Sequence, residues 1–122
     1  MTPITKGEIL QYNKACLREG EPFGILDEAR LESAIGQQSF GFLYGSDEKV
    51  VASTFRSFIQ NHPFRNGNKR TAVIVLMRLA DEIGAKIVLS DDELGDLIYE
   101  LADEGGSKIG VTAIANKLFG LS

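Results

Sequence analysis

The chain has 122 residues, 43% hydrophobic and 25% charged, with a formal net charge of −4 and a pI near 5.0. That length supports one hydrophobic core without disulfide staples and reads as a single domain, residues 1–122. The acidic balance argues against direct nucleic-acid binding, and one cysteine with one histidine excludes a Cys/His zinc site within a single chain.

Met1–Glu8 lacks the basic and apolar regions of a signal peptide, and no apolar run reaches bilayer-spanning length. A cytoplasmic location with no membrane contact is expected. Cys16 stands alone, as suits an intracellular protein, and its spacing with Ile9 and Tyr12 predicts core packing. Thr5-x-x-Glu8 is a capping box that opens an amphipathic helix running to about Arg18. Gly20-Glu21-Pro22-Phe23-Gly24 breaks it. Asp27 then starts a second helix with Leu31, Ala34 and Ile35 facing inward. Ser39–Gly45 is aromatic and bounded by glycine, which predicts a loop or short extended flap. Its Phe40, Phe42 and Tyr44 are either core or a docking surface.

Asp47 is the expected cap of a third helix, with Val51, Phe55, Phe58 and Ile59 as its buried stripe. Asn61-His62-Pro63 ends it. Residues 71–83 are then apolar on almost every side, the mark of a helix at the centre of a fold. Ile87-Val88-Leu89 has room for one brief strand at most. Ser90-x-x-Glu93 is a second capping box, followed by Leu94, Leu97, Ile98 and Leu101 at helical spacing. Gly105-Gly106-Ser107 reads as a loop, and Thr112–Phe119 as a last helix closed by Gly120. The expected fold is all-α: a compact bundle of about six helices around a central buried helix at about residues 68–83.

Between the third helix and the central one lies His62-Pro63-Phe64-Arg65-Asn66-Gly67-Asn68-Lys69-Arg70-Thr71. Imidazole is a side-chain base able to take a proton at neutral pH. A helix start offers free N–H groups and the positive end of the macrodipole, and Gly67 lets that backbone approach an anion closely. Lys69 and Arg70 add two cations where the dipole resists them, so an anionic ligand is expected there. The chemistry suggested is phosphoryl or nucleotidyl transfer. The plainer readings are a helix-end histidine at 62, a helix N-cap at Asn68 and solvated charges at 69 and 70.

Taken together, the run resembles the active-site motif of the Fic/Doc superfamily, His-x-Phe-x-Asp/Glu-Gly-Asn-Gly-Arg-x-x-Arg. Lys69 stands where most Fic enzymes have Gly and Val73 where they have a second Arg, and both departures resemble the death-on-curing (Doc) toxin branch. The resemblance implies a Fic-like arrangement of the helices, with His62 as general base, Phe64 as loop anchor, and Gly67, Asn68, Lys69 and Arg70 as phosphate or nucleotide ligands. It places Asn66 at the family's acidic, metal-binding position. A neutral amide oxygen brings no charge to Mg²⁺, so either the nucleotide's own phosphates hold the metal or catalysis is impaired.

The implied activity is transfer of the γ-phosphate of ATP to a Ser/Thr hydroxyl of a bacterial translation elongation factor, with growth arrest. The alternatives are Fic-type AMP transfer and a non-catalytic Fic-fold binding module. The self-inhibitory Ser/Thr-x-x-x-Glu-Gly/Asn motif of many Fic proteins is missing, since Ala15 precedes Glu19-Gly20 and Glu100 precedes Glu104-Gly105. Restraint is therefore expected from a cognate antitoxin in trans.

Overall fold

A computed structural model describes residues 1–103 and 108–121, apart from the side chains of 41 and 42. The expected loop at Gly105-Gly106-Ser107 and the side chain of Phe42 lie outside the described residues. Helix α1 (Lys6–Cys16) starts at the complete Thr5–Glu8 capping box. It stops short of Arg18 because Leu17 turns extended, at φ −67° and ψ 139°. Helix α2 (Glu28–Gly36) is capped by Asp27, whose carboxylate accepts from the Arg30 amide.

A 3₁₀ turn (Gln37–Phe40) and the single-turn α3 (Gly41–Tyr44) occupy the segment expected to be a loop or flap. Its helical form has a side-chain cause. Gln37, Tyr44 and Ser53 are joined by hydrogen bonds of 2.7 to 3.2 Å, which fold the segment back onto the next helix. Tyr44 is thus tied down, whereas Phe40 and Leu43 are 39% and 66% exposed.

Helix α4 (Asp47–Asn61) is capped by Ser46, one residue before the expected Asp47, which leaves Asp47 and Glu48 in the first turn where the macrodipole favours them. Helix α5 (Asn68–Glu82) follows a six-residue loop, 62–67. Residues 87–89 form no strand. The Val88 amide donates to the Leu118 carbonyl at 2.9 Å, which ties this stretch to the last helix. Helix α6 (Asp91–Ala102) begins at the Ser90–Glu93 capping box, and α7 (Val111–Phe119) ends at Gly120, whose φ is 68°. The protein is all-α, with six helices of nine residues or more and, among the described residues, no strand.

The core lies where α4 and α5 run side by side. Phe55, Phe58 and Ile59 of α4 meet Ala72, Val75, Leu76 and Leu79 of α5, all buried. Helix α1 covers α5, while α2, α6, α7 and the 3₁₀ turn cover α4, so the two helices share the central place. Despite its apolar composition α5 keeps a solvent side, with Met77 46% exposed and Asp81 and Glu82 beside it. No helix among the described residues is long and apolar enough to cross a membrane. The pairing of α4 with α5 matters for function, because it holds the end of one and the start of the other at a single loop.

Phe55 is completely buried on α4. Truncation to alanine should destabilise the protein by about 3–5 kcal/mol, the usual cost of a large aromatic cavity, measured by urea unfolding. A loss under about 1 kcal/mol would mean the α4–α5 seam collapses around the missing ring.

Candidate active site

The turn from α4 into α5 needs left-handed backbone at both of its ends. His62 has φ 46° and ψ 57°, and Gly67 has φ 77° and ψ 17°. Histidine is the only non-glycine residue with positive φ among those described. Glycine suits position 67 on two counts. A Cβ there would also come within 3.2 Å of both Asn13 Nδ2 and Cys16 Sγ.

Between these ends, Phe64 is fully buried, with the ring of Phe23 6.4 Å away between centroids. Its main chain is gripped by Asn68, which accepts from the Phe64 amide and donates to the Phe64 carbonyl, both at 2.8 Å. Asn68 is the first residue of α5 and Gly67 is the N-cap, so the capping role considered for Asn68 falls to Gly67, which has no side chain to offer. One amide hydrogen of Asn68 is committed to the Phe64 carbonyl.

The segment 17–27 straps across the loop. The Arg65 amide donates to the Gly24 carbonyl and the Leu26 amide to the Pro63 carbonyl, each at 2.8 Å, around an isolated antiparallel bridge between Ile25 and Phe64. From the other side, the buried Asn13 donates to the Asn66 carbonyl at 2.8 Å and to the Thr71 hydroxyl at 3.1 Å. These bonds bolt α1 to both the loop and the first turn of α5. Thr71 is buried and structural, and Arg65 is exposed.

His62, Asn66, Gly67, Asn68, Lys69 and Arg70 all line one depression of about 280 Å³, together with Arg65. The structure thus gathers every residue singled out in the sequence except Phe64, which lies beneath. A second, apolar groove of about 470 Å³ continues from Lys69 and Arg70, between Cys16, Val73, Ile74, Ile98 and Tyr99. Cys16 is accordingly half-buried at its wall and not sealed in the core. The Lys69 ammonium sits 4.7 Å from the centre of the exposed Tyr99 ring.

Arg70 has close partners within the chain. Its two terminal nitrogens bond the two carboxylate oxygens of Glu21 at 2.8 Å each, and one also donates to the Cys16 carbonyl at 2.5 Å. Those guanidinium bonds, followed by a bond from the Arg18 amide, hold the Glu21 carboxyl down to about 2, and Glu21 in turn favours charged Arg70.

The donor set for Mg²⁺ is thin. The Asn66 side-chain nitrogen donates to the Pro22 carbonyl at 3.0 Å, leaving only an amide oxygen at 66. Glu21 is committed to Arg70, and among the described residues no three His, Cys, Asp or Glu side chains cluster to hold a metal. The loop alone does not make a Mg²⁺ site; the ion would need the phosphate oxygens of a nucleotide.

A family model described as Fic/DOC family matches residues 3–80, from the start of α1 almost to the end of α5. The chain belongs to the Fic/DOC family. No curated protein matches it directly. Fic/DOC proteins are typically transferases acting on protein hydroxyls. The match covers the loop, the strap and the helices that fix them.

Two contributors to this Fic/DOC site escaped the sequence reading. Asn13 had a signal: it is a polar residue four positions after Ile9, on the inward face of α1. Glu21 had none, since nothing in Arg18-Glu19-Gly20-Glu21 says which glutamate turns back to α5.

Asn68→Ala strips both partners from the buried main chain of Phe64 and should cost on the order of 2 kcal/mol by urea unfolding. Lys69→Ala, at an exposed position, should cost less than about 1 kcal/mol. Equal losses would deny Asn68 its bracing role. Because the Glu21 pKa is lowered in the folded protein, its ionisation stabilises the fold fully above about pH 4.5, and that contribution disappears as pH falls toward about 2. Wild type should therefore exceed Glu21→Gln in stability at pH 7, with the gap closing on acidification through that window. A gap independent of pH would show that the carboxylate charge is not what holds Arg70.

Proposed function

We propose that this Fic/DOC protein is a Doc-type kinase that moves the γ-phosphate of ATP onto a Ser/Thr hydroxyl of a protein target. The observation that carries the proposal is the shared depression, where a histidine, the Gly67 turn and the cationic first turn of α5 meet. In this reading His62 takes the proton of the target hydroxyl. The freed oxygen pair forms the new bond to the γ-phosphorus, and the bond to the β–γ bridging oxygen breaks, its electrons leaving with ADP. Lys69 and the first-turn amides of α5 face the transferred group's negative charge, in a helix whose N-cap supplies no side-chain acceptor.

Lys69 favours γ- over α-phosphate transfer, because its chain and charge fill space that glycine leaves open in most Fic enzymes. The apolar groove beside Tyr99 offers room for the nucleobase. Mg²⁺, entering with ATP, would supply charge neutralisation to the phosphates. The expected target is the translation elongation factor that delivers aminoacyl-tRNA, and restraint is assigned to an antitoxin in trans. The exposed Phe40 and Leu43 give such a partner apolar footing.

A non-catalytic Fic-fold binding module is the second reading. It is favoured by Asn66 and Arg70, whose polar groups are engaged within the chain.

The test is incubation of bacterial lysate with ATP labelled at the α or the γ phosphate, alongside His62→Gly. Label should pass from γ-ATP to the elongation factor. The variant should lose 10²- to 10⁴-fold in rate, on the scale of a general base. Its thermal midpoint should not fall, because glycine relieves the left-handed backbone at 62. Transfer of α label would make the protein an AMP transferase; no transfer of either label from a folded sample would favour the binding module.

A further inference from the structure

We infer that Glu21 is a positioning residue of the phosphate-transfer site: with Arg70 it clips the 17–27 strap onto the first turn of α5, leaving the anion to Lys69 and the amides of α5. The inference rests on the kinase reading for its catalytic consequence, while the clip itself is a matter of structure. Arg70 spends three hydrogen bonds on the strap side of the molecule, two on Glu21 and one on the Cys16 carbonyl near the end of α1. Glu21 is held in turn by the Arg18 amide at 2.6 Å, and its own amide donates to the Arg18 carbonyl at 3.0 Å. The guanidinium thus joins a tight turn to the first turn of α5. Both side chains are about three-quarters shielded, with 30% and 26% exposure.

The next residues of the strap carry that hold to the site. Pro22 accepts from the Asn66 side chain, Gly24 from the Arg65 amide, and the Leu26 amide returns to Pro63. Four consecutive loop residues, 63–66, therefore depend on strap or bridge contacts that begin one residue after Glu21. An arginine released to grip phosphate would leave Glu21 without its fork and the turn without its anchor. Lys69, by contrast, has only the face of Tyr99 opposite its ammonium among the contacts described, and an anion can draw it away at small cost.

The experiment is a double-mutant cycle of Glu21→Gln, Arg70→Gln and both together. It is read by amide hydrogen exchange at Leu26 and Arg65 and by kcat and KM for ATP in γ-phosphate transfer. Each single variant should speed exchange at both amides at least tenfold and lower kcat with KM changed less than about threefold. The double variant should be no worse than either single one. The inference is overturned if Arg70→Gln raises KM tenfold or more while exchange at the two amides stays within twofold of wild type. It is equally overturned if Glu21→Gln leaves exchange unchanged. A wild-type protein that transfers no phosphate would sink the kinase reading alone, since the exchange measurements decide the clip without any activity.

Discussion

The loop joining α4 to α5 keeps its shape because Asn68 returns both halves of its amide to the main chain of Phe64. An asparagine is well suited to this, carrying donor and acceptor at a fixed separation on one short side chain. A four-residue span closed by two bonds leaves the intervening Arg65, Asn66 and Gly67 little freedom. Burial of the Phe64 ring then fixes the span against the core, so its orientation is inherited from α4 and α5. Asn13 and the strap grip the same short stretch from opposite sides. What lies at the α5 N-terminus is consequently a rigid rim, which is the condition for main-chain amides to act as preorganised donors.

Electrostatics divides the two cations at that rim. A helix N-terminus is a poor place for positive charge unless an anion shares it. Arg70 meets that condition inside the chain, through Glu21, and the pair is close to neutral as seen from outside. Lys69 meets it only with an aromatic face, which weakly offsets the unfavourable dipole. The field available to a ligand therefore comes chiefly from Lys69 and the free amides. Two adjacent residues of the same sign are thus placed differently, one tying α1 and the strap to α5, the other resting against the Tyr99 ring.

The helices were legible in the sequence because their signals are local. Both capping boxes formed, Asp27 capped α2, and the stripe of Val51, Phe55, Phe58 and Ile59 is buried as its spacing requires. The segment at 39–45 was misread for a physical reason. Glycine and aromatic residues lower helix propensity, but Gln37, Tyr44 and Ser53 pair across the turn and α4, a tertiary effect that no local rule contains. The gathering of the motif at the depression followed from its position between two helices. The strap did not, because pairing Ile25 with Phe64 links residues far apart in sequence through main-chain bonds that any residue types could make. The solvent face of α5 escaped for a similar reason: composition says how apolar a helix is, whereas its neighbours decide which sides they cover.

The backbone at His62 connects stability to chemistry. Pro63 disfavours the right-handed helical form for the residue before it, so α4 must end at Asn61 or strain. The left-handed conformation that follows costs a residue with a Cβ about 1–2 kcal/mol relative to an ordinary one, and glycine would avoid most of that. Histidine stands there nonetheless, exposed, with φ 46°. The surrounding structure over-determines the conformation, since Pro63 and Phe64 are buried and the Pro63 carbonyl is held by the Leu26 amide. The cost is thus carried by the core and the strap, and what it secures is an imidazole on a fixed stretch of chain at the edge of the depression. A proton acceptor on a mobile loop would lose much of its effectiveness to misorientation. Local strain at 62 and the bonds that hold 63–68 are two parts of one arrangement, in which packing of the α4–α5 pair fixes where the His62 imidazole stands.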